Sequence, residues 1–336
     1  MMRSVFVLSA ALATFHATNA FVPSLRRRYV HTRREATRMP SNDDEIPPLT
    51  DRLAALPELP IKDEMLTALS ADGFVSAKAV VSSTLVRELA TRQMCLPLAA
   101  AALGRSVICT LLLAEGLKQE ETFQVRFQGD GPLNGVLAVA NGRLETRGFV
   151  GNPRVTLPLN AKGKLDVGGG VGKGNLFVVR AKKLPGDTGV SPYSSITQIR
   201  SGEVPEDINY FLSESEQREG ALAAGVHVNP ELEVDAAAGW TVQLLPGASD
   251  EVAGKLMENL EAMAGDSPTS MVLEGLTPKD VLKKILAGME PQFFEPRVPV
   301  RTPGCCSEEQ VYRTLNLLPL REVIQIVELN EKVQRR

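Results

Sequence analysis

Aromatic side chains make up only 5% of the 336 residues, and Trp240 is the single tryptophan. Single-stranded nucleic-acid platforms need rings on which bases stack, so this class is disfavoured. Histidine is rarer still, with three in the chain. One of them, His31, falls in a basic N-terminal segment, and His227 reads as a structural residue on a strand. Neither a His-rich metal set nor a Ser–His–Asp arrangement can be built from so few. Four cysteines in a chain this long do not make a disulfide scaffold. Long apolar runs are also missing from the body: the longest, Val107 to Ala114, is broken by Cys109 and Thr110, and no membrane span is expected.

Acid is nearly absent from the N-terminus. Residues 1–40 hold seven Arg and one acidic residue, Glu35, a surplus of +6, which leaves −9 for the remainder of a chain whose net charge is −3. A body this acidic is a poor nucleic-acid binder. Arg3 followed by an apolar run from Val5 to Phe15 and small residues at Ala17–Ala20 reads as a signal peptide over 1–20. Phe21 then opens an Arg-, Ser- and Thr-rich segment, 21–45, of transit-peptide composition. Together they resemble the bipartite leader of algae with secondarily acquired plastids, so the expected location is the chloroplast. A secretory signal with a basic linker, or a cytoplasmic location as for bacterial relatives, are the alternatives.

After a Pro- and acid-rich linker at 46–60, the pattern is that of an α+β protein. A strand is expected at Gly73–Ser82, helices at Thr84–Met94 and Leu96–Lys118, and period-two strands at Thr122–Phe127, Val136–Val139 and Leu144–Val150 with an Asn141-Gly142 hairpin. Strands at Leu176–Arg180 and Ile196–Ile199, a helix from Pro205 with Ile208, Phe211 and Leu212 inward, and strands at Ala221–Val228 and Trp240–Leu245 follow. Beyond Pro246 the period is helical, over Asp250–Ala264 and in a helix opened by Thr277-Pro278-Lys279-Asp280. The expected map is a 61–246 α+β domain, a 247–290 helical linker and a small 291–336 C-terminal domain.

Pro303-Gly304-Cys305-Cys306-Ser307-Glu308-Glu309-Gln310 stands apart. Ser307 and Gln310 have the spacing of a capping box, and Val311, Leu315 and Leu318 give the following helix one apolar face. A thiol before a helix N-terminus feels the positive end of the macrodipole, which favours thiolate, the reactive and metal-binding form. Cys305 and Cys306 are therefore the candidate redox and metal-ligating residues. Cys95 and Cys109 sit in apolar helical patterns and read as core.

Other motifs have ordinary explanations. Gly168–Gly174 fails both phosphate-loop and dinucleotide spacing, because Val167, Gly174, Lys173 and Asn175 occupy the decisive positions, and it reads as a flexible turn. Glu203, Glu206, Asp207, Glu214 and Glu216 read as a solvated helix face and cap. No persuasive enzyme site emerges.

Gly129-Asp130-Gly131-Pro132-Leu133, Arg147-Gly148-Phe149 with Asn152-Pro153, Gly172-Lys173-Gly174-Asn175-Leu176, Pro192-Tyr193, Ser201-Gly202-Glu203 with Asp207 and Tyr210, Ser215-Glu216-Gln217, Ala238-Gly239 with Gln243, Leu245-Pro246-Gly247-Ala248 and Cys306-Ser307-Glu308-Glu309 follow one another in order. This succession resembles the thirty-three-kilodalton heat-shock chaperonins, a family of redox-regulated holdases, from about residue 61 to the end.

The resemblance implies an α+β domain, a helical linker and a C-terminal zinc domain. It implies that four thiolates from C-x-C and a later C-x-x-C hold zinc in the reduced, inactive form. Oxidation to disulfides expels the metal, unfolds the domain and destabilises the linker. Apolar surface is then exposed, homodimers form, and unfolded client proteins are held without ATP under oxidative or heat stress. This chain departs from the pattern. Cys305 and Cys306 are adjacent, the second pair is absent, and truncation at Arg336 is the expectation. Two alternatives stand beside the redox holdase: a constitutive interaction module of the same fold, and a thiol enzyme using Cys305 or Cys306.

Overall fold

The structure is a computed structural model and describes residues 47–183, 190–303 and 308–325. The expected leader, Cys305, Cys306 and the Ser307 cap lie outside the described residues. Two compact units are present. One runs Pro57–Arg301, and the other includes the described residues of Thr302 onward and those before Pro57.

The first unit is organised around one helix. The chain from Pro97 to Ala114 is apolar on every side, so as a helix it must be buried all round. It forms α3, after α1 (Leu49–Ala54), β1 (Glu64–Leu69), β2 (Val75–Val81) and α2 (Ser83–Arg92). Contrary to expectation, α3 is long and apolar enough to cross a membrane by length and composition, but 89% of it is buried inside the protein. Its two internal hydroxyls are satisfied within the helix, Ser106 donating to Ala102 O at 2.9 Å and Thr110 to Ser106 O at 2.7 Å.

α3 lies between two sheets. β3 (Thr122–Gly129), β4 (Val136–Asn141), β5 (Glu145–Val150), α4 (Val167–Val171), β6 (Gly174–Lys183), β7 (Val190–Gln198), α5 (Val204–Glu214), β8 (Gly220–Val228) and β9 (Val234–Leu244) follow it. The chain continues through α6 (Asp250–Ala262), α7 (Pro268–Leu273), α8 (Pro278–Ile285), β10 (Gln292–Phe293), β11 (Val300–Arg301) and α9 (Glu308–Leu315). One sheet has the order β10-β1-β2-β9-β8 and the other β11-β5-β4-β3-β6-β7. The pairings are antiparallel except β11 on β5. Val125, Phe127, Val136, Ala138 and Leu176 of the larger sheet share one core with α3, Met65, Val80 and Leu222.

Several elements differ from the sequence expectation. β1 precedes the first expected strand. Its run of Met, Leu and Ala carries little β propensity, and it forms because β2 and β10 pair its two edges while Met65 enters one core and Leu66 and Ala68 the other. α1 stands inside the expected 46–60 linker, and α7 was not anticipated. β9 begins at Val234, upstream of Trp240, because its Ala-rich start pairs with β8 and packs Ala236 and Ala238 beneath Val272. The first unit reaches Arg301, past the expected boundary at 290, because β10 and β11 complete the two sheets.

The glycine run is not a flexible turn. Residues 167–171 form α4, capped by Asp166, whose carboxylate accepts from Gly169 N at 2.9 Å. Its end locks against the 129–133 turn: Gly131 N donates to Val171 O at 3.0 Å and Leu133 N to Gly170 O at 3.0 Å. A Cβ on Gly131 would lie 2.3 Å from Gly170 O, and Gly172 has φ +74°. Two of the glycine motifs are thus halves of one backbone-to-backbone contact.

Candidate functional site

Among the described residues the thiols are inert. Cys109 is fully buried in α3, and its thiol is pushed up by desolvation. Cys95 lies in the short connection between α2 and α3 rather than in a helix, and burial pushes it up to about 12. Neither offers thiolate near neutrality. No group of three or more His, Cys, Asp or Glu able to hold a metal occurs among the described residues.

The acidic residues at 203–216 have structural partners. Glu203 pairs with Arg105 of α3, and Glu214 with Arg200 at 2.6 Å. Asp207 is buried and accepts from Arg200 N at 2.8 Å and Ser201 N at 3.1 Å. Burial raises its pKa against those hydrogen bonds, and the carboxylate anchors the loop that enters α5. His227 bonds Asp235 across the β8–β9 hairpin at 2.6 Å, and that bond raises its pKa.

Two apolar surfaces could meet a partner. The first is the face of the smaller sheet that carries Leu66, Ala68, Val75, Ala77, Ala79, Trp240, Val242 and Leu244. It is covered by α6, α7 and α8, whose Leu256, Leu260, Met271, Val281, Leu282 and Ile285 point onto it. Each helix starts with its own cap. Ser249 accepts from Val252 N, Ser267 from Ser270 N, and Thr277 forms a reciprocal box with Asp280. The cover is therefore built from three short, independently capped helices that draw stability from the sheet beneath.

The second surface is the outer face of the larger sheet. Registers align Phe149, Leu137, Arg126, Phe177 and Ile196 in one row across β5, β4, β3, β6 and β7. Phe149 is 57% and Ile196 61% exposed, so the two ends of this row are in solvent, with Leu137 and Phe177 half-buried between them. The Arg126 guanidinium lies 6.0 Å from the centroid of the Phe177 ring and interrupts the apolar ladder with charge.

The family model for Hsp33 protein matches residues 63–335. The chain belongs to the Hsp33 family. Among curated relatives of this Hsp33-family chain, the 33 kDa chaperonin of Symbiobacterium thermophilum is 39% identical over 267 residues, 79% of this chain and 88% of that protein. That of Desulforamulus reducens is 36% identical over 256 residues, 76% of this chain and 84% of the relative. The crystal structure of the 33 kDa chaperonin (heat shock protein 33 homolog) from Thermotoga maritima superposes with a TM-score of 0.70 at 29% identity, over 79% of this chain and 88% of that one. The α+β fold expected from the sequence is thereby shown.

Zinc can be tested against the donors present. A closed structural site takes four. The chain has four cysteines; Cys109 is buried in the core and Cys95 packs, half-buried, against it. Cys305 and Cys306 remain, adjacent and two in number. Among the described residues, Cys95 and Cys109 do not make such a site.

Neither surface residue set was singled out from the sequence. The row at 126, 137, 149, 177 and 196 has no local signature, because its members come from five strands and meet only through register.

Proposed function

We propose that this chain is an ATP-independent holdase chaperone that binds unfolded polypeptides through apolar surface and responds to oxidation at Cys305 and Cys306. Membership of a family whose relatives are named chaperonins supports it. The observation that carries it is the cover itself: an apolar sheet face bearing Trp240, Val242 and Leu66, hidden mainly by three capped helices. Lifting α6–α8 would present a flat, largely aliphatic platform to a client. Peroxide would take two electrons from a pair of thiols, leaving an S–S bond and water. A homodimer in the oxidised state belongs to the same proposal.

The test is light scattering from a thermally unfolding client, with reduced and with peroxide-treated protein. Suppression by the oxidised form, lost in the Cys305→Ser/Cys306→Ser variant, is the expected result. No suppression in either state removes the proposal. Size-exclusion chromatography of both forms reads the dimer.

A second mode, constitutive holding, is favoured by the exposed ends of the Phe149–Ile196 row. Equal activity of reduced, oxidised and doubly substituted protein selects it. For location, the signal-like 1–20 and transit-like 21–45 segments support a plastid address. Fusion of residues 1–45 to a fluorescent protein tests it, and retention in the secretory pathway would overturn it.

A further inference from the structure

The segment from Pro291 to Arg301 runs from one sheet to the other as a strap. Phe293 and Gln292 pair antiparallel with Ala68 and Leu69 at the open edge of β1. Arg297 and Met65 exchange both main-chain bonds, Met65 N to Arg297 O at 2.7 Å and Arg297 N to Met65 O at 2.9 Å. Val300 and Arg301 then pair parallel with Glu145 and Thr146 at the open edge of β5. The remaining stretch of that edge is met by a side chain: Gln93 donates to Gly148 O at 3.1 Å and accepts from Val150 N at 3.1 Å.

The strap is a weak occupant. Pro291, Pro296 and Pro299 have no N–H to give a ladder, so neither pairing extends past two residues in its strand. Phe294, Val298 and Val300 are 57%, 62% and 43% exposed, whereas Phe293 packs against the core of the smaller sheet and Pro299 is buried. Two arginines hold it. Arg297 reaches Glu115 Oε2 at 2.7 Å and Gly142 O at 2.6 Å, and Arg301 Nε reaches Glu88 Oε1 at 3.0 Å. Two sheet edges are thus closed by main-chain bonds and ion pairs, with Phe293 the strap's one apolar anchor against the core of the smaller sheet. Unpaired edges are templates for another strand.

We propose that the edges of β1 and β5 are docking sites for extended segments of unfolded polypeptide, with the strap as their resting occupant. Main-chain pairing is indifferent to sequence, as a binder of many clients requires. The two edges already accept opposite strand directions, which widens the range of segments that fit. Release of Arg297 and Arg301 opens both edges together. This inference rests on the chaperone proposal and assigns it a mode of contact.

The experiment uses the full chain, an Arg297→Ala/Arg301→Ala variant and the milder Arg301→Ala, each checked for fold by circular dichroism. The probe is a fluorescent peptide of alternating valine and threonine, and a twin N-methylated at alternate amides. The double variant should bind the peptide roughly tenfold more tightly than the parent, and the twin should lose that gain. Hydrogen exchange should show bound peptide protecting β1 and β5 amides. Equal binding of the methylated twin, or protection elsewhere, overturns the inference, as does pairing of two copies at the bared edges without peptide. Client suppression without edge protection leaves the chaperone proposal standing and sinks this one. Peptide binding without client suppression does the reverse.

Discussion

The side-chain amide of Asn259 donates to the main-chain carbonyl of Ala287 at 2.9 Å. Its second N–H reaches Ile285 O at 3.0 Å, so α6 holds the C-terminal end of α8 through two carbonyls that a helix end leaves orphaned. Asn259→Ala would leave the buried Ile285 carbonyl without this donor, at a cost of about 1–3 kcal/mol. The helical cover should loosen before the rest of the fold. Hydrogen exchange in 250–287 should accelerate by roughly tenfold or more, and reduced protein should gain client binding. Unchanged exchange in α8 would show that the cover does not depend on this contact.

The exposed row predicts a separation of stability from activity. Phe149→Asp and Ile196→Asp remove apolar surface that is already in solvent, so thermal unfolding should move within about 0.5 kcal/mol. Client holding should fall severalfold if the row contacts clients. Full activity in the double variant would assign holding to the covered sheet face alone.

Alkylation should discriminate among the thiols. A Cys95 pKa of about 12 leaves roughly one thiolate in ten thousand at pH 8, and Cys109 is out of reach of solvent. Iodoacetamide on the folded protein, read by peptide mass spectrometry, should spare both until the fold is melted. Labelling of Cys95 at the rate of a free thiol would contradict its environment.

His227 gives a pH signature. Its bond to Asp235 raises the folded pKa above the ordinary 6.5, so the protonated imidazole is favoured in the native state. The linked stabilisation is complete below about 6.5 and is lost as pH rises through the raised value. Proton NMR should place the His227 midpoint above 6.5, and Asp235→Asn should return it to the ordinary range. A midpoint at or below 6.5 in the parent would refute the assignment.

Helix starts were the most legible features. Thr277-Pro278 with Asp280 carries a cap, a preset first φ and an acid in the first turn, and the structure reproduces all three and adds a reciprocal bond from the Thr277 N–H to Asp280. The Asn141-Gly142 hairpin was equally local: Asn141 Oδ1 accepts from Arg143 N at 2.9 Å and Glu145 N at 3.0 Å. The glycine run was misread because its partner lies forty residues upstream, roughly, at Gly129 and Gly131, and no local pattern reports a backbone-to-backbone contact. β1 has no local signature for a related reason, since its pairing comes from β2 and β10 and its burial from cores built by distant elements.

By itself the sequence determined the α+β class, the position of most helices and strands, the all-round burial of the Pro97–Ala114 helix and the ordered motifs of the family. Local capping, hydrophobic period and turn chemistry are short-range physics, readable within a few residues. Tertiary structure alone decided that Asn259 clasps α8, that five strands align Phe149 with Ile196, and that Pro291–Arg301 closes two sheet edges. Those facts depend on register and on which distant element fills each open edge, and periodicity says that a face is buried without saying by what.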